Sequence, residues 1–532
     1  MKHLFLSLLC LPFFFCARQP DNSEQQADLK SPGNSGRQDS LFWDGKNEML
    51  RGVAIGNSVW SLNEYANIAL NDSADYVRLR ADGFNAARFY LSYKFFESDL
   101  NPYFYKQGGW DFLDKNLQWA EENGIKFILN MHVPQGGFQS NAEGGALWEV
   151  EENQNRLIAL WREIAKRYAN QTAIAAYDIL NEPVVSKEKS QWQKLAQKIV
   201  NAIREVDSNH LILIERINGI IPSDYSNDSD MNFIFIEDPA NKWGLTFHFY
   251  SPIEYTHQYA SWVDAYRNTD GGRYPDESIL QFSGEKWVGT TSNSPKVPAG
   301  NSDWTFYEGV WKTIADTSTA NIGRPTLQCQ EAGDGTVWFD SLVFEKKSPG
   351  GVVETIAKYN LPTSNEGWYF WMEKNGGNVI IGESSVGITK TISDANYATS
   401  RMFAALEQGY SYRVSGKMKG ENVPQKAACR IRFDWNYAKN LSKRNKAFLE
   451  NEVDSYLKIA HERNLPVYLG EFGVIEATFR DKGGLVWVSD MLDILKVRNL
   501  PFTYHAWIDG SFGIKDRPEL ESLFRNKFFG RR

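Results

Sequence analysis

From residue 48 onward, short apolar runs alternate with amphipathic segments over most of the chain, the pattern of a parallel sheet wrapped by helices. The runs predict eight strands, at residues 51–56, 84–91, 125–132, 175–180, 210–217, 244–250, 466–470 and 501–507. Several are near-continuous in Val, Ile, Leu and Phe, as strands covered on both faces should be. Between them the apolar period lengthens to that of a helix: Leu157, Leu160, Trp161, Ile164 and Tyr168 share one face, as do Trp192, Leu195, Ile199 and Ile203. Further helices are predicted near 110–122, 443–463, 484–498 and 517–529, whereas 222–239 shows no helical pattern. Eight strands with mostly one helix each predict an α/β fold, a closed (β/α)8 TIM barrel.

One interval breaks the spacing. Tyr250 and Glu471 stand 221 positions apart, where a barrel needs roughly 30 to 40 per βα unit. Residues 269–437 therefore read as an insert, in which the helical period gives way to alternating runs at 336–345, 367–372, 411–418 and 429–435, separated by Gly- and Pro-rich breaks. That pattern predicts an antiparallel β-sandwich. The barrel then comprises residues 41–268 and 438–532, and the insert leaves it beside the face on which barrels build their active sites.

The start of the chain has a different character. Lys2 and His3 precede an apolar run over 4–15, too short to cross a bilayer but suited to a signal peptide, so residues 1–16 predict export to the exterior or the cell surface. Residues 17–40, rich in Gln, Asp, Asn and Ser, read as a disordered tether. Cys16 is either the acylated cysteine of a lipoprotein or part of the removed peptide, since Phe14 and Phe15 replace the small residues such a site prefers. That anchor is the only membrane contact expected. Cys329 and Cys429, both in the insert, are either disulfide-bonded or two buried thiols. A net charge of -8 without a long basic run gives no electrostatic reason to bind nucleic acid.

Two motifs carry the chemistry. Asn181-Glu182-Pro183 follows the fourth predicted strand, and Gly470-Glu471-Phe472-Gly473 closes the seventh. Two carboxyls at the same end of two barrel strands can face each other across a substrate, one protonated to assist a leaving group and one ionised to attack. Arg88, His132, His248, Tyr250 and Trp507 fall at the same level of other strands. Taken singly, each histidine reads as a hydrogen-bonded core residue and Trp507 as packing. There is no His-Glu-x-x-His, no Cys-x-x-Cys, no Gly-x-Ser-x-Gly and no phosphate loop, so neither a metal nor any other cofactor is expected.

Together, Arg51-Gly-Val-Ala-Ile-Gly56, Gly83-Phe-Asn-Ala-Ala-Arg88, Ile179-Leu-Asn-Glu-Pro183, His248-Phe-Tyr250, Tyr468-Leu-Gly-Glu-Phe-Gly473 and Ala506-Trp507 resemble, in order, the signatures of glycoside hydrolase family 5, the cellulase-like retaining barrels. The resemblance implies that Glu182 is the acid/base, kept protonated by a neighbourhood that includes His248, and that Glu471 is the nucleophile, with carboxyl groups about 5 to 5.5 Å apart. It implies that Arg88 holds Glu471 ionised, that Tyr250 positions the attacking oxygen, that Asn181 and His132 contact the sugar, and that Trp507 forms the platform beneath it. His257 and Gln258 could line the cleft.

The insert resembles a carbohydrate-binding jelly roll at 335–344 and 412–420. Trp287, Trp304, Trp311, Trp368, Trp371 and Trp435 are available there for stacking on sugar, although most are expected to be core. The implied function is endo-acting hydrolysis of a β-linked polysaccharide by a monomer, first of all β-1,4-glucan. β-Mannan and β-1,3-glucan are the alternatives, and a non-catalytic glycan-binding surface protein is the rival from another class.

Overall fold

Eight parallel strands close on themselves in the computed structural model: β1 (Arg51–Ile55), β2 (Ala86–Ser92), β3 (Lys126–Val133), β4 (Ile174–Asp178), β5 (Leu211–Glu215), β6 (Trp243–Phe249), β7 (Val467–Phe472) and β8 (Phe502–Tyr504). Each pairs with its successor, and β8 returns to β1 with Phe502 opposite Arg51. The structure describes residues 42–530 apart from 44–47, 57–58, 60–70, 141–143, 221–229, 264–265, 291–294, 331–332, 360–367, 373–376, 383–384, 391–394, 401–402 and 516. The leader, the tether and Cys16 lie outside the described residues.

The strands are apolar because both of their faces are covered. Leu129, Ile212, Ile214, Leu245, Phe247 and Leu469 are all fully buried, and the helices outside lay their own apolar stripes on them. In helix Glu151–Tyr168 that stripe is Leu157, Leu160, Trp161, Ile164 and Tyr168, and in Lys189–Arg204 it is Trp192, Leu195, Ile199 and Ile203. No helix lies between Glu215 and Trp243 among the described residues. The ladders of β4 and β8 stop at Asp178 and Tyr504, before the predicted ends at 180 and 507. The chain leaves the sheet there: Glu182 takes φ +42°, outside any strand conformation.

After β6 the chain departs through a long antiparallel ribbon, Asp276–Thr290 against Ala428–Arg444, and returns directly into the helix Lys446–Glu462 that covers the barrel. The ribbon continues into a sheet with Ile322–Gln330, Ala395–Ser400 and Trp368–Met372. A second sheet runs Gly300–Tyr307, Ser411–Val423, Thr336–Lys347, Val386–Lys390 and Gly377–Ile381. Leu327, Ile431 and Phe433 from the first sheet and Val337, Phe339 and Phe344 from the second form one core, as in a β-sandwich.

Among the tryptophans of the insert, Trp287 and Trp304 are exposed. Trp435 packs on the core, and Trp311 lies between Lys347 and Arg413. The side chains of Trp368 and Trp371 lie outside the described residues.

Cys329 and Cys429 face each other on neighbouring strands, with Cα atoms 4.1 Å apart, and are bonded. The bond closes a loop of 100 residues. Cys329→Ser is therefore expected to lower the stability of the sandwich by about 2 to 4 kcal/mol. Its own thermal transition should fall while that of the barrel is unchanged.

The foot of the ribbon is tied to the barrel. Buried Arg444 donates to the Gly271 carbonyl at 2.6 Å and to Glu254 at 3.0 Å, on the segment that follows β6. Asn440 donates to Ser283, to Ser455 and to the buried Glu452 of the covering helix.

Candidate active site

Inside the apolar strands a few inward positions are polar, and they meet at the C-terminal mouth of the barrel. Arg88 on β2 is fully buried. Its Nε donates to Asp178 of β4 at 2.7 Å, one terminal nitrogen to Glu471 of β7, and the other to Asn181 at 3.0 Å. A fully buried guanidinium needs this many carboxylate and amide acceptors to be tolerated at all.

Glu471 receives three donors. Arg88 and the Tyr90 hydroxyl, at 2.8 Å, reach Oε1, and the Tyr250 hydroxyl reaches Oε2 at 2.9 Å. Burial pushes its carboxyl upward, but His248 and Arg88 outweigh burial and hold it well below the usual carboxylate range. Burial, with Glu471 close by, raises both tyrosine hydroxyls well above their ordinary value, so they remain donors.

Glu182, four residues beyond Asp178, faces Glu471 from the other side of the mouth. One carboxylate oxygen of each and a ring nitrogen of His248 all lie within 4.8 Å of one another. His248 Nδ1 is 2.8 Å from Glu182 and 3.6 Å from Glu471. Gly470 makes room for this ring, because a Cβ there would stand 2.7 Å from Thr246 Oγ1 and 3.0 Å from the imidazole.

The electrostatics correct one expectation. His248 does not keep Glu182 protonated. Burial raises the Glu182 carboxyl, but hydrogen bonding and charge from His248 reverse this and leave it lowered. Burial disfavours the charged ring of His248, yet Glu215, Glu471 and Glu182 lift it to about 9. A cation beside a carboxyl stabilises the carboxylate, so the proton rests on the imidazole, one hydrogen bond from Glu182. Glu182, His248 and Glu471 also form a cluster of a size that could hold a cation. With His248 protonated and Glu471 already accepting three hydrogen bonds, the donor set suits proton transfer better than metal binding.

The other predicted residues divide. Asn181 is buried and donates to Ser140 at 3.1 Å while accepting from Arg88. His132 stacks on Tyr90 at 3.9 Å between ring centres, and burial lowers its pKa well below the ordinary value, which keeps it neutral. His257 packs edge-on against Tyr250, whereas Gln258 is a buried brace that accepts from Lys482 and donates to Tyr255.

Trp507 departs from the platform role. Its ring is fully buried, its indole N–H donates to Asp75 at 2.9 Å, and the Arg78 guanidinium lies 5.3 Å above it, so it presents no open face. The group beyond β8 that reaches the site is His505, half-buried, with Nδ1 2.9 Å from the Tyr90 hydroxyl. Past Tyr250, the Phe512 ring leads to the exposed Trp262. A cavity of about 450 Å³ on the barrel rim is lined by Tyr259, Ile475, Glu476, Ala477, Arg480 and Ser511.

Tyr90, Asp178, Glu215 and His505 are absent from the sequence reading. The signal for the first three is a polar residue within a buried apolar strand, as in Arg88 and Tyr90, which share one face of β2 by their spacing of two.

Residues 43–297 match the sequence model of the cellulase family, glycosyl hydrolase family 5. The chain is 34% identical over 205 residues to Endoglucanase C of Acetivibrio thermocellus, a match covering 38% of this chain and 57% of that protein. It is 31% identical over 165 residues to a β-xylosidase of Phanerodontia chrysosporium, covering 30% of this chain and 34% of that one. The chain thus spans little more than half the length of the first of these relatives. Among solved structures, endoglucanase Cel5A of Thermotoga maritima superposes with a TM-score of 0.50 at 15% identity, covering 92% of this chain and 98% of that one, a likeness of fold.

Proposed function

We propose, on the premise that this chain belongs to the cellulase family, glycosyl hydrolase family 5, that its barrel hydrolyses a β-linked glucan in two displacements with net retention at the anomeric carbon. The observation that carries this reading is the approach of the Glu182 and Glu471 oxygens to within 4.8 Å at one mouth of the barrel. Retaining sites hold their carboxyls about 5 to 5.5 Å apart, whereas inverting sites leave about 6.5 to 9.5 Å for a water.

In the first displacement a Glu471 oxygen attacks the anomeric carbon while the glycosidic C–O bond breaks, and the leaving oxygen takes the proton that Glu182 shares with His248. Arg88, Tyr90 and Tyr250 keep Glu471 ionised and aimed until the bond forms. In the second, Glu182 takes a proton from water, whose oxygen attacks the same carbon and releases Glu471. In this reading Asn181 and His132 contact the sugar. Trp262 and the rim cavity offer aromatic and polar surface to further units of a chain, which supports endo action on β-1,4-glucan.

The test is proton NMR of the first product from a β-glucan oligosaccharide. The β-anomer should appear before mutarotation, and the α-anomer appearing first would overturn the reading. A polysaccharide panel, with β-1,4-glucan expected to be the best substrate against β-mannan and β-1,3-glucan, tests the substrate. Export through residues 1–16 belongs to the same reading, and the N-terminal residue of the mature protein checks it.

A further inference from the structure

A third carboxyl lies beneath the two that react. Glu215 ends β5, is buried, and faces into the barrel. Its Oε2 accepts the backbone N–H of Glu182 at 3.0 Å, and its Oε1 stands 3.4 Å from His248 Nε2. The opposite nitrogen of that ring meets Glu182 Oε1 at 2.8 Å. One carboxyl thus accepts from the main chain of Glu182 and stands at ion-pair distance from the far side of the imidazole whose near side meets the Glu182 side chain.

The main chain needs such a hold. Glu182 sits at φ +42°, in the left-handed region that a residue with a Cβ seldom adopts, and this conformation turns its N–H toward Glu215. The imidazole needs one as well, since a ring held at one nitrogen has its other nitrogen fixed in role.

We propose that Glu215 is a positioning residue for the acid/base step, fixing the backbone of Glu182 and the ring of His248 so that the transferable proton lies between Nδ1 and the Glu182 carboxyl. The proposal rests on the reading of Glu182 as the acid/base.

The charged surroundings fit this role. Facing Glu215 are Arg88 of β2, 3.9 Å away, Asp178 of β4, Glu182 beyond β4 and His248 of β6. Burial raises the Glu215 carboxyl, and the cation of His248 pulls it back down. Glu215 is in turn the largest of the charges that raise His248. Removing it should lower the pH at which the imidazole gives up its proton.

The test compares Glu215→Leu and Glu215→Gln with the unaltered protein on two aryl glycosides, one with a poor leaving group and one with 2,4-dinitrophenolate, which leaves without a proton. For Glu215→Leu, kcat on the poor leaving group should fall on the order of 10²-fold with little change in KM, and the dinitrophenyl glycoside should be largely spared. Glu215→Gln, which keeps an acceptor for the Glu182 N–H, should recover most of that loss. The alkaline limb of kcat/KM should move to lower pH in both variants.

Equal losses on both glycosides with an unmoved alkaline limb would mean that Glu215 only supports the fold, and would overturn the proposal. Nitrogen-15 NMR of His248 in the unaltered protein reads the proton without turnover. Both ring nitrogens should be protonated at pH 7, and a neutral ring there would overturn the proposal even where the variants fail to fold. Failure of the unaltered protein to cleave either glycoside would instead overturn the hydrolase reading, so the two failures are distinguishable.

Discussion

Glu471→Ala is expected to lower turnover of an aryl glycoside by roughly 10⁴- to 10⁶-fold, because on the proposed mechanism it removes the atom that bonds to the sugar. The fold should survive the change. Arg88 would keep Asp178 and Asn181 as partners, and the vacated volume lies at the solvent end of the barrel. Sodium azide should restore part of the rate by entering that space, and the glycosyl azide formed in a single displacement should carry the inverted anomeric configuration. Rescue with an unchanged configuration would show that another group attacks. A loss smaller than tenfold would remove Glu471 from the role altogether.

Glu182→Ala should separate substrates by leaving group. Where the departing oxygen needs a proton, the loss should be about 10²- to 10⁴-fold. For 2,4-dinitrophenolate the first displacement should keep most of its rate, while the second slows because no base activates the water. A burst of phenolate followed by a slow steady state is the expected trace.

The pH dependence should change with it. If the acid proton belongs to the Glu182–His248 pair, as proposed, kcat/KM should fall as pH rises past about 9, where the imidazole loses its proton. The acid limb should lie below the ordinary carboxylate range, because Glu471 must protonate before attack fails. Glu182→Ala should remove the alkaline limb and leave the acid one in place. Uniform loss on both leaving groups would assign the proton to another residue.

The barrel was legible because its strands have no solvent face. Runs such as Leu211–Glu215 and Lys126–Val133 carry apolar residues at consecutive positions, and only burial on both sides makes such runs stable. Asn181, Glu182, His248, Tyr250 and Glu471 were legible as polar residues at strand ends and Arg88 as a charge within a strand, and the structure brings all six together.

The rest depended on contacts between distant parts of the chain. Where the proton sits follows from three carboxyls, on three segments, surrounding one imidazole, and no single segment records their distances. Trp507 and His505 are two residues apart at the end of a short strand. Which of them turns inward is decided by Asp75 and Arg78 of the helix Ser73–Ala81, which hold the indole away from the cleft. The pairing of Cys329 with Cys429 likewise follows from strand register, which spacing alone does not specify.

The ribbon that carries the sandwich has its two feet, Asp276 and Arg444, directly opposite each other. The host is interrupted in its gene but hardly at all in space, so a turn of a few residues at those feet would bridge the gap. A complete module can thus be grafted or excised in one genetic step without rerouting any of the eight staves it stands on.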